Sequence, residues 1–249
     1  MFNPRSIKAQ LIIFLFLLAG FVVIKDKEIS FLFAFMLCVA TAVFIEAVVL
    51  YFKTHKWQVT ESAVIAGAIV GFVASSGIVW WKLVAVVAVA ILSKHFIRWR
   101  NKHVFNPAAF GLLMAVIILG VPAQWKATYL WYFLVPFGGY LAWKMRRLEV
   151  LAGYAVVSLL AFGSQALLQH AALVDMLGYF SYFYIFIMIV EPKTTPAGGV
   201  PKYLFGGLLA GLIFALTQSS LACDIELLSL LIMNMAVPLL NKIVVKKGV

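Results

Sequence analysis

Charge is what this sequence has least of. Only 12% of its 249 residues are Asp, Glu, Lys or Arg, and nine of them are acidic. A water-soluble domain carries roughly twice that charged share, so a soluble globular class is excluded. Cysteine is nearly absent as well: Cys38 and Cys223 stand far apart, with no CxxC or CxxH spacing. The chain alone therefore encodes neither a disulfide framework nor a zinc or iron–sulfur site, and no metal is expected. Linkers, low-complexity tracts and soluble appendages are also missing. The first apolar run, near residues 10–24, ends in Lys25-Asp-Lys-Glu28 without a small-residue cleavage site, so it is expected to be a membrane span and not a signal peptide.

What is present is oil. Hydrophobic residues make up 65% of the chain and its mean hydropathy is +1.05. Apolar runs of sixteen to twenty-four residues recur along its whole length, which points to an all-α, polytopic membrane protein. Charged or turn-rich breaks divide it into about ten transmembrane helices, near 9–24, 29–52, 61–80, 82–98, 106–121, 127–144, 148–167, 172–190, 201–219 and 224–242. The whole, residues 1–249, reads as one integral membrane domain, with two five-helix halves of approximately 1–122 and 123–249. A net charge of +11 would suggest a nucleic-acid partner in a soluble protein. Here orientation in the membrane accounts for it, with lipids as the expected neighbours and no nucleic acid. With the N-terminus inside, sixteen of the twenty Lys and Arg residues fall on the inner side; the outer loops hold Lys25, Lys27, Lys82 and Lys126. Cytoplasmic loops accumulate these residues, so the expectation is a multi-pass protein of a bacterial-type cytoplasmic membrane with both termini cytoplasmic.

The one polar interruption that is both long and strongly basic is the stretch from Leu92 to Leu112. Lys94, His95, Arg98, Arg100, Lys102 and His103 cluster there around Trp99, and Asn106-Pro107 follows. Asn is a strong N-cap and Pro suits the first helical position, so a helix is predicted to start at Pro107, its N-terminal dipoles adding to the positive potential. One reading is a loop attracted to anionic headgroups. The other is recognition of a phosphate or flavin by cations, a flat ring and a capped helix start.

Other polar groups are sparse. Glu191-Pro-Lys-Thr-Thr-Pro196 joins two spans through closely spaced prolines; Thr194 and Thr195 could cap a helix or donate to a ligand oxygen, and Glu191 could exchange a proton. Asn106-Pro107 and Asn234 with Pro238 are helix-breaking elements that should face protein or a water-lined cavity. Glu46 lies well inside a span, where it either snorkels or serves a proton path. Six tryptophans near span ends, Trp57, Trp80, Trp81, Trp125, Trp131 and Trp143, read as an interfacial belt. The Tyr179-Phe-Ser-Tyr-Phe-Tyr184 run could pack against other helices or against a flavin ring.

Lys94-His95 followed by His103-Val-Phe-Asn-Pro-Ala-Ala109 resembles the Lys-His and Pro-Phe-Asn-Pro-Ala signature of the NqrB/RnfD family, membrane components of the sodium-pumping NADH:quinone reductase and of Rnf electron-transport complexes. Phe186-Ile-Met-Ile-Val-Glu-Pro-Lys-Thr-Thr-Pro196 resembles that family's Met-Ala-Thr-Asp-Pro-Val-Thr-Ser-Pro segment, and Leu231-Ile-Met-Asn-Met-Ala-Val-Pro-Leu-Leu240 its Leu-Leu-Met-Asn-Ala-Leu-Val-Pro-Leu ending. The resemblance spans roughly residues 30–245. It implies a membrane subunit that handles electrons and coupled ions alongside other subunits of a complex, either as a flavin carrier or as a non-catalytic component. The expected cofactor is FMN or riboflavin, held by Lys94, His95, Arg98, Arg100, His103, Asn106, Pro107, Glu191, Thr194 and Thr195. Family members attach FMN covalently to the threonine of Asp-x-x-Ser/Thr-Gly-Ala-Thr. Here the corresponding loop, Gly120-Val-Pro-Ala-Gln-Trp-Lys-Ala-Thr128, keeps only Ala127-Thr128. Covalent attachment at Thr128 is therefore not expected; the chain reads as a short member without that motif. A small-solute or flavin transporter on the same scaffold, and a purely structural assembly component, are the alternatives.

Overall fold

A computed structural model describes residues 5–99, 102–170, 172, 177, 178 and 180–245. Over these residues the protein is all-α apart from one two-stranded hairpin. By Cα proximity the chain divides into two compact units, Met1–Ala127 and Thr128–Val249.

The first unit holds α1 (Ile7–Asp26), α2 (Ile29–Thr54), α3 (Glu61–Val73), α4 (Trp80–Phe96), a hairpin of β1 (Arg98–Trp99) and β2 (Lys102–His103), and α5 (Pro107–Leu119). Its helix starts are written in the sequence. The side chains of Ser6, Thr60 and Asn106 accept from the backbone N–H of Ala9, Ala63 and Ala109 at 3.0, 3.2 and 3.1 Å, each satisfying one donor that has no partner within its helix. Helix α5 stops where Gly120 takes φ 61°, a left-handed conformation glycine adopts without a Cβ penalty. In the core, α3 packs on α1, α2 and α5, and α2 and α5 also pack on α4. Phe31, Phe35 and Phe72 form its aromatic centre, with ring centroids 5.3 to 6.0 Å apart. Two close approaches need glycine: a Cβ at Gly67 would lie 2.8 Å from the Cys38 carbonyl oxygen, and one at Gly111 would lie 2.7 Å from that of Val86.

The second unit holds α6 (Trp131–Lys144), α7 (Leu148–Leu168), a π-helical turn at Tyr184–Met188, α8 (Gly199–Thr217) and α9 (Ile225–Val245). Helix α8 packs on both α7 and α9. At the α7/α8 contact a Cβ on Gly206 would run into the Val150 carbonyl oxygen, and one on Gly153 into that of Tyr203. Asp224 starts α9, its carboxylate accepting from Leu227 N–H at 2.8 Å.

Among the described residues five helices are long and apolar enough to cross a bilayer: α1, α2, α7, α8, and α9 over Ile225–Ile243. Apolar α3 and α5 are shorter, at 13 residues each, about 20 Å by helical rise. Several expected boundaries shift for visible reasons. The segment expected as 61–80 leaves the helix after Val73. There the carbonyls of Phe72 and Val73 accept from the backbone N–H of Lys126 and Gln124, at 2.9 and 2.7 Å, and Ala74 bridges Ala123. The loop backbone thus takes acceptors that further helix would have used. Helix α4 ends two residues before the expected 98, because Arg98 and Trp99 turn into the hairpin. Of the segment expected at 172–190, the described residues hold a short 3-10 piece at Leu177 and Gly178 and the π-helical turn with Tyr182 and Phe183 ahead of it.

Candidate functional site

In the first unit the lysine and histidine of the basic stretch turn inward onto Glu46. Glu46 sits on α2 and is 3% exposed. From the last turn of α4, Lys94 Nζ lies 2.7 Å and His95 Nε2 2.9 Å from the same Glu46 oxygen, Oε2. Thr60 Oγ1 donates to Oε1 at 3.2 Å, and Lys94 Nζ also donates to Ser62 Oγ at 3.2 Å. A cation in the last turn of α4 suits the negative end of that helix dipole. The other ring nitrogen of His95, Nδ1, lies 3.2 Å from Lys53 Nζ, at the exposed end of α2. An ammonium has no lone pair, so Nδ1 must accept and Nε2 must carry the hydrogen donated to Glu46. The Glu46 carboxylate is thus met at one oxygen by both the Lys94 ammonium and the His95 ring.

The rest of the predicted set divides by what each polar atom already does. Asn106, 2% exposed, uses its side-chain oxygen to cap α5, and Pro107 is buried beside it. Arg98 is exposed and His103 half-buried on the hairpin, where Arg98 pairs with His103 and Trp99 with Lys102. Arg100 lies outside the described residues, as does Tyr179 of the aromatic run.

Glu191, Thr194 and Thr195 belong to the second unit and are described there. Thr195 Oγ1 donates to the Glu191 carbonyl at 2.9 Å, and Thr194 Oγ1 to the Glu191 carboxylate at 3.4 Å. Three residues not assigned to the site from sequence, Arg147, Asn234 and Asn241, hold this loop. Arg147, 8% exposed, donates through its two terminal nitrogens to the carbonyls of Pro196 (2.5 Å) and Pro192 (2.9 Å). Burial lowers the pKa of its guanidinium, and the Glu149 carboxylate opposes that shift. Asn234 Nδ2 donates to the Thr194 carbonyl at 3.1 Å, and Asn241 Oδ1 accepts from Ala197 N–H at 3.0 Å. Carbonyls in a proline-rich loop lack the amide donors that a helix would offer them, and a planar, multi-donor side chain can hold two at once.

Thr128 lies in a turn whose neighbours Trp125 and Ala127 have φ of 47° and 72°. Its Oγ1 is 3.3 Å from Ser181 Oγ. Lys126 is paired with Glu28 at 2.6 Å, and Ala127 is fully buried. No group in this turn replaces the missing aspartate, serine and glycine of the flavin-attachment motif.

Long apolar helices, glycine-mediated helix contacts and buried, internally compensated polar groups define a multi-pass membrane protein. The chain belongs to the NQR2, RnfD, RnfE family, whose model matches residues 4–132, just over half of its length. That match contains Glu46, Lys94, His95 and the Asn106-Pro107 helix start; Glu191, Thr194, Thr195 and Asn234 lie beyond it. The family supplies membrane subunits to multi-subunit Rnf- and Nqr-type complexes. No curated protein matches the chain.

Proposed function

We propose that this protein is the membrane subunit of an Rnf/Nqr-like electron-transport system in a cytoplasmic membrane, both termini cytoplasmic. In this reading flavin is bound non-covalently where the chain meets another subunit. The family match over residues 4–132 carries the reading. The distribution of polar atoms argues for a shared flavin site. Lys94, His95, Asn106, Thr194 and Thr195 all engage partners within their own units, so these residues do not form a ready cradle for a flavin phosphate or ring. Electron transfer is the cofactor's chemistry, and this chain's own groups orient helices and balance buried charge. The Lys94 ammonium at 2.7 Å already compensates the Glu46 carboxylate, which makes that carboxylate a poor acceptor for a proton and a metal cation alike.

The test is purification from native membranes in mild detergent, followed by identification of co-purifying proteins and flavin fluorescence. The expected result is co-purification with redox subunits, and flavin that is lost when those subunits are stripped away. A chain that purifies alone, carries no flavin and drives riboflavin counterflow in proteoliposomes would replace this reading with a transporter.

A further inference from the structure

We propose that the β1–β2 hairpin and the end of α2 form a docking surface for anionic phospholipid headgroups. Two segments build it. Residues 47–60 contain Lys53 and Lys56, residues 92–105 contain Arg98 and Lys102, and neither segment has an Asp or Glu. These four cations are exposed. They belong to one rim, because Lys53 Nζ at the end of α2 meets His95 Nδ1 in the last turn of α4, at 3.2 Å. Of the two carboxylates that flank these segments, Glu46 is buried against Lys94 and His95, and Glu61, half-buried at the start of α3, accepts from Ser6 Oγ at 3.2 Å.

The same rim exposes large apolar rings: Phe52 is 76%, Trp57 66%, Phe96 80% and Trp99 62% exposed. Directly opposed residues of an antiparallel pair share a face, so Trp99 and Lys102 stand on one side of the hairpin and Arg98 and His103 on the other. A partner must therefore offer negative charge and an apolar layer within one side-chain length of each other. Nucleic acid offers the charge without an apolar layer for Phe52 and Phe96. An anionic lipid leaflet offers both, with rings at the acyl boundary and cations at the phosphates.

This inference stands apart from the electron-transport reading, and its failure would leave that reading intact. The full chain is placed in nanodiscs of phosphatidylcholine alone or with one-quarter phosphatidylglycerol. The Trp99 signal is isolated as the difference between wild type and Trp99→Phe. It should be quenched by lipids brominated near the glycerol end of the acyl chain, more strongly when phosphatidylglycerol is present. In native mass spectra, retention of phosphatidylglycerol over phosphatidylcholine should fall about fivefold for each cation removed in Arg98→Gln and Lys102→Gln. It should be kept in Arg98→Lys with Lys102→Arg, which preserves charge and controls for misfolding. Trp99 open to aqueous acrylamide to the same extent with and without phosphatidylglycerol would overturn the proposal. So would an unchanged lipid preference in the Gln variants.

Discussion

At the scale of single residues the decisive fact is that Glu46 and Lys94 are buried as a pair. A paired buried charge contributes little net stability, yet removing one member leaves the other uncompensated, typically at about 3–5 kcal/mol. Glu46→Gln strands the Lys94 ammonium, whose side chain is 8% exposed. Its expected melting temperature in detergent is well below wild type, and adding Lys94→Met should recover much of the loss. If Glu46→Gln melts like wild type, the ion pair is not compensating charge as argued. Asn106→Ala tests a different effect, the lost α5 cap, and should cost about 1 kcal/mol, whereas Asn106→Asp keeps an acceptor and should cost less.

Between elements, the controlling contact is the backbone approach of α7 and α8. Ala is normally the better helix former than Gly, by roughly 1 kcal/mol. At Gly206 that preference should reverse, since the added methyl would overlap a backbone oxygen, that of Val150, which no rotamer can move. Overpacking of this kind costs about 1–3 kcal/mol. Gly139→Ala on α6 is the matched control, with nothing within 4 Å of the new methyl, and should be neutral or stabilising. Equal melting temperatures for the two variants would mean that α7 and α8 do not approach this closely. Local signals such as the Asn106-Pro107 start and the Gly120 stop were legible in sequence because they act within a few residues. The inward turn of Lys94 and His95 was not, because Glu46 is 49 positions from His95 and nothing local distinguishes a pairing carboxylate from a snorkelling one. Helix α3 ends early for a similar reason: the loop donors that take its carbonyls, at Gln124 and Lys126, arrive from a remote part of the chain. Arg147 was masked by its neighbours, since Lys144-Met-Arg-Arg147 reads as a topogenic cluster until the proline carbonyls it holds are seen.

For the molecule as a whole, the open quantity is how often the chain crosses the bilayer and in which direction. Among the described residues, length and composition identify five helices able to span it, while the lysine and arginine asymmetry favours ten crossings with both termini inside. The two native cysteines can decide orientation without any engineered residue. Cys38 lies within α2 and is fully buried; Cys223 lies between α8 and α9 and is partly accessible. The charge asymmetry places the α8–α9 connection on the outer side, where its neighbourhood, Gln218 to Asp224, holds no Lys or Arg. A membrane-impermeant maleimide added to intact cells should therefore label Cys223 and leave Cys38 untouched, with labelling abolished in Cys223→Ser. Labelling of Cys223 only after the membrane is permeabilised would put that connection, and with it the basic ends of α2 and α4, on the opposite sides from those the charge count assigns.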